Sequence, residues 1–190
     1  MALFSFRRLD IDPLAVAMAG VKMGERLLQI GIDDPALAGQ LAAKTGLSGT
    51  AAHMVSSDGE AVQVNRGAKK AGVLVEVRVG PLDRLPFDDG AFDLVVIHST
   101  RGQLASATAE ERVAVLQDSR RVLRPGGRLL TVEAGTTTGL RSMLRPPPAA
   151  QTAYDAGGGT AAALRQAGFG AVRDLGDREG QKFVEGLRTT

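Results

Sequence analysis

The chain has no cysteine, no tryptophan, one tyrosine and two histidines in 190 residues. Without cysteine there is no disulfide, no thiolate metal site and no cysteine nucleophile. His53 and His98 are too few for most zinc sites, so no metal is expected. No apolar run reaches the roughly 20 residues of a membrane-spanning helix. The opening MALFSFRRLDID lacks the apolar stretch of a signal peptide, so a soluble, cytoplasmic protein is expected. The formal charge of +2 is small, and the arginines are scattered rather than blocked together, so nucleic acid is not an expected partner. A length of 190 residues fits one domain, 1–190, that buries its own core.

What is present is a legible alternation of apolar and helical segments. After a lead over 1–24, residues 26–30 read as a buried strand that Gly31 ends. Asp34 caps the next helix, Pro35 suits its first position, and Gly46 closes it. Residues 49–55 predict a second strand, 60–71 a helix, and the valine-rich 73–79 a third strand. The run 92–97 is apolar throughout, as for a central strand buried on both faces. Thr108-Ala109-Glu110-Glu111 matches a capping box and opens a helix that Pro125-Gly126-Gly127 stops. Residues 128–133 supply a fifth strand, 160–167 a short helix, and 171–175 with 181–186 a closing hairpin. The segment 134–159, with its Pro-rich and Gly-rich part 141–159, shows no period and is expected to be an irregular loop or cover. Strands alternating with helices predict an α/β fold: a mostly parallel seven-stranded sheet, helices on both faces, and an antiparallel C-terminal hairpin. Ligands bind such sheets beyond the carboxyl ends of the strands, near the switch in strand order.

This order of elements, with Leu85-Pro86-Phe87-Asp88-Asp89-Gly90-Ala91-Phe92-Asp93-Leu94-Val95-Val96 and Arg121-Val122-Leu123-Arg124-Pro125-Gly126-Gly127-Arg128-Leu129-Leu130, resembles the class I S-adenosylmethionine-dependent methyltransferases. It is most similar to the ubiquinone and menaquinone biosynthesis subgroup, and Gln166-Ala167-Gly168-Phe169 before the hairpin extends the likeness. The resemblance implies a Rossmann-like class I methyltransferase fold and S-adenosylmethionine as cofactor. The motifs that carry it are scaffold motifs: Pro86 and Gly90 shape a turn, Phe87 and Phe92 are apolar anchors, and Pro125-Gly126-Gly127 turn a helix into a strand.

Carried over residue by residue, the family's cofactor positions are only partly kept. The acid that ends the first strand is Gln29. Of the Gly-x-Gly-x-Gly turn, Gly31 remains, while Asp33 and Pro35 stand at the second and third glycines. Asp33 or Asp34 can pair with a cationic ligand, or Asp34 and Pro35 simply start a helix. At the end of the second strand, where the family's acid meets the ribose, stand Ser56 and Ser57, then Asp58; the same residues also read as a helix-capping turn. Leu82, after Gly80-Pro81, is placed to touch an adenine face or to join the core. His98 lies where the family keeps residues near the transferred methyl group. It is the candidate general base, or a structural histidine.

Two functions are therefore expected. In the first, the fold carries a degenerate cofactor site and the chain is a non-catalytic binding or assembly subunit with a protein partner. In the second, it is an active methyltransferase acting on a small-molecule substrate with a rebuilt S-adenosylmethionine site. A different ligand, a nucleotide included, is a third reading, which the missing turn glycines weaken.

Overall fold

The apolar runs become strands, and the capped, polar-faced stretches become helices. β1 (Arg26–Ile30), β2 (Thr50–Val55), β3 (Glu76–Val79), β4 (Phe92–Ser99) and β5 (Leu123–Ala134) run parallel, while β6 (Gly170–Arg178) and β7 (Gln181–Leu187) form the hairpin. The computed structural model describes residues 13–135 and 149–190. Among these the strand order is β3-β2-β1-β4-β5-β7-β6, with β7 antiparallel to β5. This is the expected mixed, mostly parallel sheet with helices on both faces.

Side chains alternate between the two faces of a strand. Leu28, Ile30, Val95, Ile97 and Leu129 therefore point one way, and there they meet Leu104, Leu116, Tyr154 and Leu164. These partners come from α4 (Gln103–Ser106), α5 (Ala109–Val122), α6 (Ala149–Ala156) and α7 (Gly159–Gln166). Leu27, Leu94, Val96, Leu130 and Val132 point the other way, against Val16, Leu37 and Leu41, from α1 (Leu14–Ala19) and α2 (Pro35–Lys44). Val55 extends that face to Val64 of α3 (Asp58–Ala71).

The two scaffold motifs lock together through Arg121. Its guanidinium donates to the carbonyls of Leu85 and Phe87 and to Asp89, and it pairs with Asp118, whose carboxylate also accepts the Leu85 amide. One arginine thus holds the turn before β4 against α5.

Several elements differ from the sequence reading. The lead contains α1, which follows Pro13 and ends at Gly20 with φ +52; its run LAVAMA is apolar on all sides and gives no helical period to read. The segment expected to be irregular contains α6, pinned by Tyr154, whose hydroxyl hydrogen-bonds Thr160 at 2.7 Å beneath the Arg112 guanidinium. The remainder of that segment, 136–148, lies outside the described residues. β3 is four residues rather than seven, because it is the edge strand and its ladder with β2 starts only at Glu76. β4 runs on to Ser99, so His98 sits inside the strand rather than after it.

Candidate functional site

The chain leaves β1 toward β2 on one side of the sheet, and β4 lies on the other side, so the switch in strand order falls between β1 and β4. The loops after these two strands bound the crevice where such sheets take ligands. Gly31 makes the first turn. Its φ of +71 is open to glycine, and a Cβ there would stand 3.2 Å from the His98 carbonyl oxygen. Its amide donates to Met54 O at 2.9 Å. Its carbonyl accepts from His53 Nε2 at 2.6 Å.

Asp33, two residues on, reaches across the crevice. Its Oδ2 accepts from the Thr100 amide at 2.5 Å and from Thr100 Oγ1 at 2.7 Å. Its Oδ1 accepts from Gln103 Nε2 at 2.6 Å and lies 3.7 Å from Arg101 Nε. Arg101 also donates to the Asp33 carbonyl at 3.1 Å. The Asp33 side chain is only 5% exposed in this clasp. Asp34 and Pro35 do what the helix-start reading expects: Asp34 accepts the Ala36 amide and Pro35 takes the first helical position.

Gln29 does not face the crevice. It is fully buried, donating through Nε2 to Ala38 O of α2 and accepting His98 Nε2 on Oε1, both at 2.9 Å. His98 in turn stacks on His53, with ring centroids 5.8 Å apart and planes 15° from parallel. Because each Nε2 meets an oxygen acceptor, each ring carries its proton there. Both Nδ1 atoms are buried acceptors with no hydrogen-bond partner among the described residues. Burial holds His98 at a pKa of about 4, against the opposing Asp33 charge. Burial, then the neighbouring His98, push His53 to about 3. Both rings are neutral at pH 7, and the basic nitrogen of each is sealed from solvent.

Beyond β2, Ser56 donates both its amide and its hydroxyl to Glu60 Oε2, at 2.8 and 2.7 Å. Ser57 Oγ accepts the Glu60 amide and caps α3. The carboxylate beside the end of β2 is therefore supplied by Glu60, from the first turn of the following helix. Sequence reading passed over Glu60, although Ser57-Asp58-Gly59-Glu60 has capping-box spacing. Leu82 is half-buried and packs against the core cluster of the α4–α7 face. The structure thus gathers Gly31, Asp33 and His98 at the switch point with Thr100 and Gln103, which no local signal marks. Ser56, Ser57 and Leu82 lie at the neighbouring loops. Among the described residues no group of His, Asp and Glu is suited to hold a metal ion, and no helix is long and apolar enough to cross a membrane.

Comparison with known proteins agrees with this architecture. The family described as "Methyltransferase domain" matches residues 28–131. A demethylmenaquinone methyltransferase of Beutenbergia cavernae is 34% identical over 131 residues, 69% of this chain and 48% of that protein. An arsenite methyltransferase of Halobacterium salinarum is 28% identical over 179 residues, 88% of this chain and 43% of that protein. The chain spans about half the length of these curated relatives. The crystal structure of a SAM-dependent methyltransferase from Aquifex aeolicus superposes with a TM-score of 0.71 at 18% identity, covering 92% of this chain and 88% of that one. With the family matched over more than half its length, its sheet order and its Gly31 corner in place, the chain belongs to the class I, S-adenosylmethionine-dependent methyltransferase family.

Proposed function

We propose that this chain works by binding rather than by methyl transfer, as a methyltransferase-fold subunit with a protein partner in the cytoplasm, its S-adenosylmethionine site degenerate. The observation that carries this reading is Asp33, whose two carboxylate oxygens are already bound to the loop after β4.

S-adenosylmethionine carries an ammonium, a carboxylate, a sulfonium and a ribose diol, and a site for it needs free acceptors and an open backbone turn. The residues at the carried-over positions fit it poorly. The Gly31 carbonyl is taken by His53, and the hydroxyl and amide of Ser56 are taken by Glu60. Ser57 caps a helix, Leu82 joins the core, and His98 turns its proton toward Gln29 under the sheet. The committed hydrogen-bonding groups are the Gly31 carbonyl, the Ser56 amide and hydroxyl and the Ser57 hydroxyl; at about 1 kcal/mol each, three or four lost to a ligand lower affinity by about two to three orders of magnitude if additive.

Isothermal calorimetry with S-adenosylmethionine and its demethylated product tests the reading. No saturable heat at millimolar ligand is the expected result, and micromolar binding overturns it.

Two observations favour the second reading, an active methyltransferase on a small molecule. Gly31 keeps its left-handed turn, the feature that lets a cofactor come close to backbone, and a curated relative named for demethylmenaquinone shares 34% identity. Micromolar cofactor binding together with methyl transfer to a demethylated quinone ring would establish it.

A further inference from the structure

The end of the sheet opposite the crevice has a chemistry of its own. Among the described residues the three most exposed large hydrophobic side chains are Met23 at 80%, Leu74 at 96% and Leu47, which is fully exposed. Met23 precedes β1, Leu47 precedes β2 and Leu74 precedes β3. These strands are parallel neighbours, so all three side chains stand at their amino ends. Each sits on a hydrogen-bonded turn. The Gly24 amide after Met23 donates to Thr45 O at 2.8 Å, and the Val73 amide before Leu74 donates to Ala68 O at 3.0 Å. A Cβ on Gly46, the residue before Leu47, would stand 3.0 Å from Met23 Cγ, so the first two apolar tips are adjacent.

The charge at this end has one sign. Four of the chain's five lysines are here: Lys22 beside Met23, Lys44 in the last turn of α2, and Lys69 and Lys70 in the last turn of α3. All four are exposed. The carboxylates of this end are matched by arginines: Glu25 faces Arg128, Glu76 faces Arg78, and Asp93 holds both Arg26 and Arg124. Lys22, Lys69 and Lys70 therefore set the sign of the surface. A cation in the last turn of a helix also offsets the helix dipole, which accounts for three of the lysines but for none of the apolar tips.

Apolar side chains that project among lysines match an anionic bilayer surface. The tips enter the headgroup region, and the flexible lysine stems keep their ammonium groups beside the phosphates. A protein interface selects differently, enriching arginine and aromatic residues and depleting lysine. In a chain far richer in arginine than in lysine, lysine is what this end collects.

We infer that the amino ends of β1, β2 and β3 dock on an anionic phospholipid surface, with Met23, Leu47 and Leu74 entering it and Lys22, Lys44, Lys69 and Lys70 contacting the phosphates. The crevice at the opposite ends of the strands then faces away from the lipid. Docking therefore stands or falls separately from binding of S-adenosylmethionine.

Sedimentation of the full chain with vesicles is the test. Binding is expected to equimolar phosphatidylglycerol and phosphatidylcholine, weakening as salt rises, and is expected to be far weaker to phosphatidylcholine alone. Lys69→Gln with Lys70→Gln should weaken it about twentyfold, at about fivefold per lysine. Leu47→Ser with Leu74→Ser should weaken it by about tenfold or more without lowering Tm. Val62→Ser, at an exposed position in the first half of α3, should change nothing. The chain has no tryptophan, so Leu47→Trp is a single reporter, whose emission should move to shorter wavelength on the vesicles and be quenched by brominated acyl chains. No binding to the anionic vesicles, equal binding to phosphatidylcholine, or tryptophan emission that does not move overturns the proposal. Binding to polyglutamate as tight as to vesicles assigns this end to an acidic protein instead. A doubled mass in light scattering that Leu47→Ser with Leu74→Ser abolishes assigns it to a second copy of the chain, and either result overturns lipid docking.

Discussion

His53 and His98 stack almost parallel on one face of the sheet, their ring centroids 5.8 Å apart, and each donates its single proton within the turn region of β1: His53 to Gly31 O, His98 to Gln29 Oε1. Near neutral pH neither imidazole in this arrangement is charged, because among the described residues neither Nδ1 meets a counter-ion and each charge would repel the other.

This arrangement sets a pH dependence. Both histidines have folded-state pKa values, about 3 and about 4, below the ordinary 6.5. Above pH 6.5 both the folded and unfolded states leave them neutral, and they contribute no slope. As pH falls below 6.5 the unfolded chain takes up protons that the folded one refuses, so stability drops until about pH 4 to 3, where the folded rings also protonate. Each histidine contributes up to about 1.4 kcal/mol per pH unit in that window. In His53→Gln the slope of unfolding free energy between about pH 6 and 4.5 should lose up to that amount per unit relative to wild type. Urea titrations across the window measure it, and an unchanged slope would contradict buried, neutral rings.

Asp93 gives a second window with the same sign at lower pH. Burial works to raise its pKa, but hydrogen bonds from Arg26 and Arg124 outweigh that and bring it from 3.8 to about 2. A depressed carboxyl stabilises the fold above its unfolded value, and that stabilisation is lost as pH falls from 3.8 through about 2. Asp93→Asn should cost about 1 to 2 kcal/mol at pH 7 and flatten the stability curve between about pH 4 and 2. Thermal melts of both proteins over that range make the comparison.

The sequence carried the boundaries that are written in local chemistry. β1 spans the predicted residues, Asp34 and Pro35 start α2, and Thr108 with Glu111 form both hydrogen bonds of a capping box. Each is decided within a few residues. The clasp from Asp33 to Thr100 is not, since its partners are 67 residues apart and become neighbours only because β1 and β4 pair. The inward turn of Gln29 likewise depends on Ala38 and His98 being brought beside it. α6 escaped because its Gly-rich and Pro-rich flanks hide an apolar face with one large anchor, Tyr154.

Gly39 and Gly67 show another long-range requirement. α2 and α3 cross so closely that a Cβ on Gly67 would stand 1.9 Å from Pro35 O, and one on Gly39 would stand 2.4 Å from Gly67 O. Both neighbours are backbone, so no rotamer change relieves the clash. Gly67→Ala should therefore cost about 1 to 3 kcal/mol through overpacking, although alanine in an open helix would gain about 1 kcal/mol. Gly59, in α3 with nothing within 4 Å of its Cβ position, is the control: Gly59→Ala should be neutral or stabilising. Urea midpoints of the two variants, with only that of Gly67→Ala expected to fall, test the helix crossing.

Restoring the family's acid at position 29 is not a simple reversal. Gln29 is an amide that donates to Ala38 O and accepts from His98 within a fully buried site. Gln29→Glu keeps the shape but turns the donor into a second acceptor facing the Ala38 carbonyl, and it adds a buried charge beside a ring whose basic nitrogen is on its far side. At about pH 8 the variant should lose about 3 kcal/mol or more, from an unpaired carbonyl and an uncompensated carboxylate. The introduced carboxyl must have its pKa raised by burial. Lowering the pH then returns a proton that can donate to Ala38 O, so the gap to wild type should narrow between about pH 8 and 5.5. A gap that stayed constant would mean that the carboxylate had turned out of the sheet into the crevice beside Gly31, and chemical-shift titration of the introduced carboxyl carbon distinguishes the two.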